Sequence, residues 1–105
     1  MKIEQFENYI KNQENFINKR FLEIGSKISS LPKLNIICYD LSYSEIMLEM
    51  ELYNVRKQIL EMYKSFLYIT KKKKLKNINE RVFESHPHYK ELKQKESNIL
   101  NKLYF

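Results

Sequence analysis

The chain has 105 residues with one Gly, two Pro, one Cys and no Trp, and its formal net charge is +6. Hydrophobic residues make up 43% of it, which excludes a disordered chain, and the length suits one small domain with a modest core. No apolar run approaches the roughly 20 residues that span a bilayer, and no secretory signal pattern occurs. We therefore expect an intracellular protein without membrane contact, in which the lone cysteine stays unpaired.

Helical periodicity begins close to the start of the chain. Between residues 2 and 30 the apolar residues recur at steps of three, four or seven: Ile3, Phe6, Ile10, Ile17, Phe21, Ile24 and Ile28. A single stripe of this kind predicts an amphipathic helix over residues 1–30 that packs on one neighbour. Pro32 should end it, because the residue before a proline is pushed out of the α region.

Residues 31–41 are apolar but lack a helical period. We expect a connecting loop packed over the end of a helical hairpin. An alternative is a short strand over residues 35–39, where Ile36, Ile37 and Tyr39 favour pleated backbone. Since the chain offers this strand no partner, it would have to add to a sheet of another protein.

The longest predicted helix covers residues 42–70. Ser42 and Glu45 fit a capping box, in which each side chain bonds the backbone N–H of the other residue. Two adjacent apolar stripes follow, and they predict a helix that contacts two neighbours. The first is the candidate helix-packing interface: Leu48, Leu52, Val55, Ile59, Met62, Phe66 and Ile69. The second flanks it: Ile46, Met50, Tyr53, Leu60, Tyr63 and Leu67.

Residues 71–105 form a basic C-terminal segment with helical patterning. The run Lys71–Lys74 favours the end of the long helix, where cations interact well with the macrodipole. Asn77 with Glu80 predicts the cap of a short helix, and Pro87 predicts the first turn of the last helix. The sequence thus predicts one all-α domain over residues 1–105: an antiparallel long-helix hairpin with shorter C-terminal helices and bundle or coiled-coil-like packing.

The sequence contains no catalytic or metal-binding signature. His86 and His88 flank Pro87 without further donors at zinc-ligand spacing, which favours a capped helix start over a metal site. Cys38 is a conceivable nucleophile, but a chain with one glycine has little scope for a tight turn and an oxyanion hole. It is better explained as a small buried hydrophobe. We expect no enzyme activity, no cofactor and no bound metal.

The charge distribution indicates a partner. Residues 71–105 hold ten Lys or Arg against four acids, so this third carries +6, the same as the whole chain. Such clustering suits phosphate backbones or an acidic protein, although the lysine run fits a solvated helix end equally well. The candidate contacts are Lys71, Lys72, Lys73, Lys74, Lys76 and Arg81. Tyr68, Phe83 and Tyr89 could stack on unpaired bases, but the helical spacing of the last two favours core positions.

Three classes of function remain open at this point. We favour a non-enzymatic interaction protein, a small structural or accessory subunit that docks by its long helix onto a larger assembly, which can contain nucleic acid. We expect its partner to be another protein or a second copy of itself. The first alternative is a direct, sequence-tolerant nucleic-acid-binding factor in replication, recombination or translation. The second is a small inhibitor of a larger machine, of the kind that phages and parasites use.

Overall fold

A computed structural model describes the backbone of residues 1–30 and 36–104 and the side chains of residues 1–26 and 44–104. Most of these residues are helical: α1 spans Ile3–Ser30, α2 spans Ile36–Lys72, α3 spans Glu80–Glu84 and α4 spans Pro87–Tyr104. Their packing confirms the predicted all-α hairpin with shorter C-terminal helices. Helix α1 ends just before Pro32, as expected.

Helix α2 is the central element. It packs against α1 on one flank and against α4 on the other, and among the described residues the backbones of α1 and α4 do not approach each other closely. The Glu7–Lys71 and Glu14–Lys64 ion pairs show that α1 runs antiparallel to α2. The molecule measures 57 × 23 × 17 Å, and the 37 residues of α2, about 55 Å long at the helical rise, set its length. The two adjacent apolar stripes of the long helix therefore correctly predicted that it packs against two other helices.

The main core lies where α1, α2, α3 and α4 meet. Its buried members are Phe6, Ile10, Ile17, Leu52, Val55, Ile59, Leu60, Tyr63, Ile78, Phe83, Leu92 and Ile99. A smaller cluster of Ile24 and Ile46, with Tyr53 packed against it, continues the α1–α2 contact toward the other end. Burying each large aliphatic or aromatic side chain contributes about 1.5–3 kcal/mol, so the two flanks of α2 hold the fold together.

Ion pairs join each flanking helix to α2. The Arg20 guanidinium donates to the buried carboxylate of Glu49 at 2.8 Å and to Glu23 at 2.6 Å. Burial disfavours the charged guanidinium, but Glu49 and Glu23 outweigh it and raise the pKa of Arg20. On the other flank Arg56 Nε donates to Glu96 at 3.2 Å. Charged hydrogen bonds with fixed geometry specify how the helices align along their length.

The loop predicted for residues 31–41 is wrong over residues 36–41, which belong to α2. The predicted capping box at Ser42 therefore lies inside the helix, and the alternative strand is wrong over residues 36–39. Residues 36–41 contain neither Pro nor Gly, and a helix pairs their backbone groups internally where a lone strand would leave them unpaired. Residues 31–35 and the burial predicted for the Cys38 side chain lie outside what the structure describes.

Helix α2 ends in the lysine run, as the sequence predicted. Lys74 has a φ of 58°, its N–H donates to the Lys71 carbonyl at 3.0 Å, and the Leu75 N–H donates to the Thr70 carbonyl at 3.1 Å. These two bonds form a Schellman motif, which satisfies the last carbonyls of a helix. A lysine occupies the left-handed position that usually holds glycine.

The segment after α2 is fixed to the start of α1. The Ile78 N–H donates to the Met1 carbonyl at 2.9 Å and the Ile3 N–H donates to the Lys76 carbonyl at 3.4 Å, around an isolated antiparallel bridge between Lys2 and Asn77. Asn77 is thus not the helix cap that the sequence predicted. Nothing in the spacing of apolar residues indicates such a backbone pairing between distant segments.

Side chains cap both C-terminal helices. The Asn79 side chain accepts the Arg81 N–H at 3.2 Å and so caps α3, because a residue immediately before the first turn can reach that donor. Helix α4 begins at Pro87, as predicted. His86 caps it, since its Nδ1 accepts the His88 N–H at 3.2 Å, which agrees with the prediction of a capped helix start at these histidines.

Candidate docking groove and basic end

An open groove runs along α2 beside the junction of α3 and α4. We call it the docking groove; its volume is about 780 Å³. The residues that line it are Asn54, Lys57, Gln58, Glu61, Met62, Ser65, Phe66, Ile69, His86 and His88. From Asn54 to Ile69 the groove follows about 22 Å of helix, or four turns.

The floor of the docking groove is the apolar part of this lining. Met62 and Phe66 are half-buried and Ile69 is 46% exposed. They are the last three members of the candidate helix-packing interface. The stripe thus continues beyond what α1 and α4 cover.

The earlier members of the same stripe lie inside the molecule. Leu52, Val55 and Ile59 are buried in the core, and Leu48 is half-buried against it. These four side chains hold the three-helix arrangement together within the chain. Of the seven stripe residues, the last three are those that line the docking groove.

The rim of the docking groove is polar, and its charged side chains are those of Lys57 and Glu61. Lys57 stands on one side, with its ammonium 5.7 Å from the Tyr53 ring, and the exposed His86 and His88 stand on the other. Glu61 is the carboxylate of the lining. An apolar floor inside a polar rim is the usual composition of a protein–protein interface.

The second candidate site is a set of exposed cations that we call the basic end: Lys71, Lys72, Lys73, Lys74, Lys76 and Arg81. The bridge between Lys2 and Asn77 holds the segment after α2 against α1, so that α3 lies near the end of α2. Lys71 pairs with Glu7. In the described ranges the other five cations form no ion pair.

Two of the three aromatic residues considered for base stacking lie in the core. Phe83 is buried, with its ring centroid 5.4 Å from those of Tyr63 and Tyr89. The hydroxyls of Tyr63 and Tyr89 lie 3.2 Å apart; burial, followed by this hydrogen bond, raises the pKa of Tyr63 well above its usual value. The helical spacing of Phe83 and Tyr89 thus correctly predicted core positions.

Tyr68 differs from these two residues, since it is 66% exposed on α2. The sequence already contains the signal for its exposure, because Tyr68 belongs to neither apolar stripe of the long helix. Its helical neighbours at i−4, i+3 and i+4 are Lys64, Lys71 and Lys72. The structure therefore places one exposed aromatic ring among three lysines.

Among the residues that the structure describes, no three His, Cys, Asp or Glu side chains come together as a metal site requires, and no helix has an apolar stretch long enough to cross a bilayer. No protein-family model, curated protein or solved structure matches the chain. Our functional inference rests on the docking groove and the basic end.

Proposed function

We propose that this protein is a non-enzymatic accessory subunit that docks through the groove on α2 onto an amphipathic helix of a larger assembly. The observation that carries the proposal is the uncovered end of the α2 stripe. Met62, Phe66 and Ile69 follow one another at steps of four and three along the groove, whereas the earlier members of the same stripe pack within the chain. A contiguous apolar surface with a polar rim is typical of a recognition site.

A helix is the partner element that fits the docking groove. The groove is straight over about four turns, so a partner helix of about 15 residues would lie along it and insert apolar side chains at every third or fourth position. Lys57 on the rim forms no ion pair in the described ranges, whereas the Glu61 carboxylate is already paired with Lys64 at 3.8 Å. This charge favours a partner helix with acidic residues beside its apolar face.

The test is a tagged pull-down from extract of the native source with paired variants. The groove variant carries Ser65→Glu and Ile69→Glu, which place two carboxylates at the floor and rim. The control carries Leu22→Glu and Ser26→Glu on the exposed face of α1, which likewise replace one serine and one aliphatic residue four positions apart. Circular dichroism of all three proteins should show equal helix content.

The proposal predicts one protein recovered in near-stoichiometric amount after nuclease treatment. It should be lost from the groove variant, since a carboxylate on an apolar floor repels an acidic helix, and retained by the control. A partner that both variants retain, or that disappears with nuclease, would contradict docking through this groove.

Self-association is a separate outcome that sedimentation velocity measures. The proposal predicts that the pure protein sediments as a monomer at micromolar concentration. A dimer that the groove variant dissociates and the α1 control keeps would assign the groove to a second copy of the chain, against the proposed partner.

A further inference from the structure

We propose that the basic end, together with Tyr68, binds an unpaired nucleic-acid strand. Tyr68 would stack on a base, and Lys72, Lys73 and Lys76 would contact phosphates. This function goes beyond docking through the groove and does not depend on it, because neither the Tyr68 ring nor these lysines line the groove.

The first argument is the position of Tyr68. Tyr68 is 66% exposed, so most of its ring is in contact with water. The ring is exposed because Tyr68 is not among the residues of α2 that pack into the core. Lys64 and Lys71 beside it are held by Glu14 and Glu7 on α1. Lys72, its neighbour at i+4, forms no ion pair among the described residues. An ammonium without an ion pair in the described ranges thus lies about one helical turn from an exposed ring.

The second argument is the amount of charge. Residues 71–81 carry six cationic side chains against one carboxylate, that of Glu80. A helix C-terminus carries about half a negative charge, so one or two lysines would compensate it. The Schellman bonds of Lys74 and Leu75 already satisfy the terminal carbonyls. The remaining lysines exceed what the end of α2 requires and are available to an anionic ligand.

The third argument selects an unpaired strand over other polyanions. A ring next to cations contributes to binding when a base lies flat on it, and each stacked base adds affinity without sequence preference. Bases in a duplex are already stacked on each other, and an acidic peptide offers no ring to stack. Glu61, two helical turns before Tyr68, is the nearest acidic residue of α2 on this face and limits the site toward the groove.

The test is fluorescence anisotropy of the pure protein with a labelled 12-residue oligothymidylate at several salt concentrations. The first variant carries Lys72→Gln, Lys73→Gln and Lys76→Gln. It should reduce the slope of log affinity against log salt by about two, since each phosphate contact on a single strand contributes about 0.7. The control carries Lys19→Gln, Lys95→Gln and Lys102→Gln, which remove the same charge elsewhere and should leave the slope unchanged.

Single substitutions test the stacking step. Tyr68→Ala should weaken binding about tenfold or more, and Tyr68→Phe should stay within about twofold of the original protein because the ring is retained. Tyr104→Ala is the matched control, since Tyr104 is 63% exposed and lies at the opposite end of α4 from His86. It should leave the affinity unchanged.

Three results would overturn the proposal: no binding at low salt, equal affinity for Tyr68→Ala and the original protein, or equal affinity for the oligonucleotide, its duplex and a polyglutamate peptide. The last result would make the basic end a surface for polyanions in general. Because this assay uses pure protein and the docking assay requires a partner that survives nuclease, the two proposals can fail separately.

Discussion

At the scale of single residues, Lys74 is the position where the backbone is least suited to its side chain. Its φ of 58° lies in the left-handed region, which costs a residue with a Cβ roughly 1–2 kcal/mol. Lys74→Gly should therefore raise the free energy of unfolding by about 1 kcal/mol. Urea denaturation followed by circular dichroism measures this change in the free energy of unfolding. Lys72→Gly, in the last turn of α2, is the control and should lower stability by about 0.5–1 kcal/mol; a loss at both positions would contradict the Schellman assignment.

Tyr63 should make the free energy of unfolding depend on pH in the alkaline range. Burial raises the pKa of Tyr63 in the folded state, whereas the unfolded phenol ionises at about 10. Unfolding above that pH therefore releases a proton, so this stabilising term is fully present below pH 10 and is lost as the pH rises further. The slope contributed by one such group approaches 1.4 kcal/mol per pH unit.

Tyr63→Phe isolates this term, since it removes the phenol and keeps the ring. At pH 9 the variant should be less stable by about 1 kcal/mol, because the hydrogen bond to Tyr89 is lost. By pH 11 the difference between the two proteins should shrink, as measured by urea denaturation at each pH. A constant difference from pH 9 to 11 would show that Tyr63 ionises in the folded protein as it does in water.

At the scale of elements, α3 is too short to be stable by itself. Five residues form barely more than one turn, and nucleating a turn is unfavourable, so its position depends on the burial of Phe83 against α1, α2 and α4. Phe83→Ala should lower the free energy of unfolding by about 3 kcal/mol. Val82→Ala, 53% exposed on the same helix, should change it by less than about 0.5 kcal/mol in the same assay. Equal effects would mean that α3 is not fixed through Phe83.

The elements also show which features could be predicted from the sequence. Periodicity predicted α1, the two neighbours of α2 and the start of α4 at Pro87, because apolar spacing and proline act locally. It failed at the start of α2, where β-branched residues suggested an extended chain, and at Asn77, whose backbone pairs with the distant Lys2. Periodicity also could not show which residues of the stripe are buried within the chain, since that depends on where α1 and α4 lie.

At the scale of the whole molecule, the packed helices α1, α2 and α4 carry two surfaces that differ in chemistry. The docking groove is apolar with a mixed polar rim, and the basic end beside it is cationic and carries an exposed ring. Both lie toward the C-terminal end of α2. A partner helix and a nucleic-acid strand could therefore occupy the molecule at the same time, as an accessory subunit of a nucleic-acid assembly would require.

Site-specific photo-crosslinking in the native source tests docking most directly. Benzoylphenylalanine replaces Ser65 on the rim of the docking groove in one variant and Ser97, exposed on α4, in the other. The account predicts one discrete adduct with another protein from position 65 and none from position 97, because docking covers the groove alone. The same adducts from both positions, or an adduct between two copies of this chain from position 65, would contradict it.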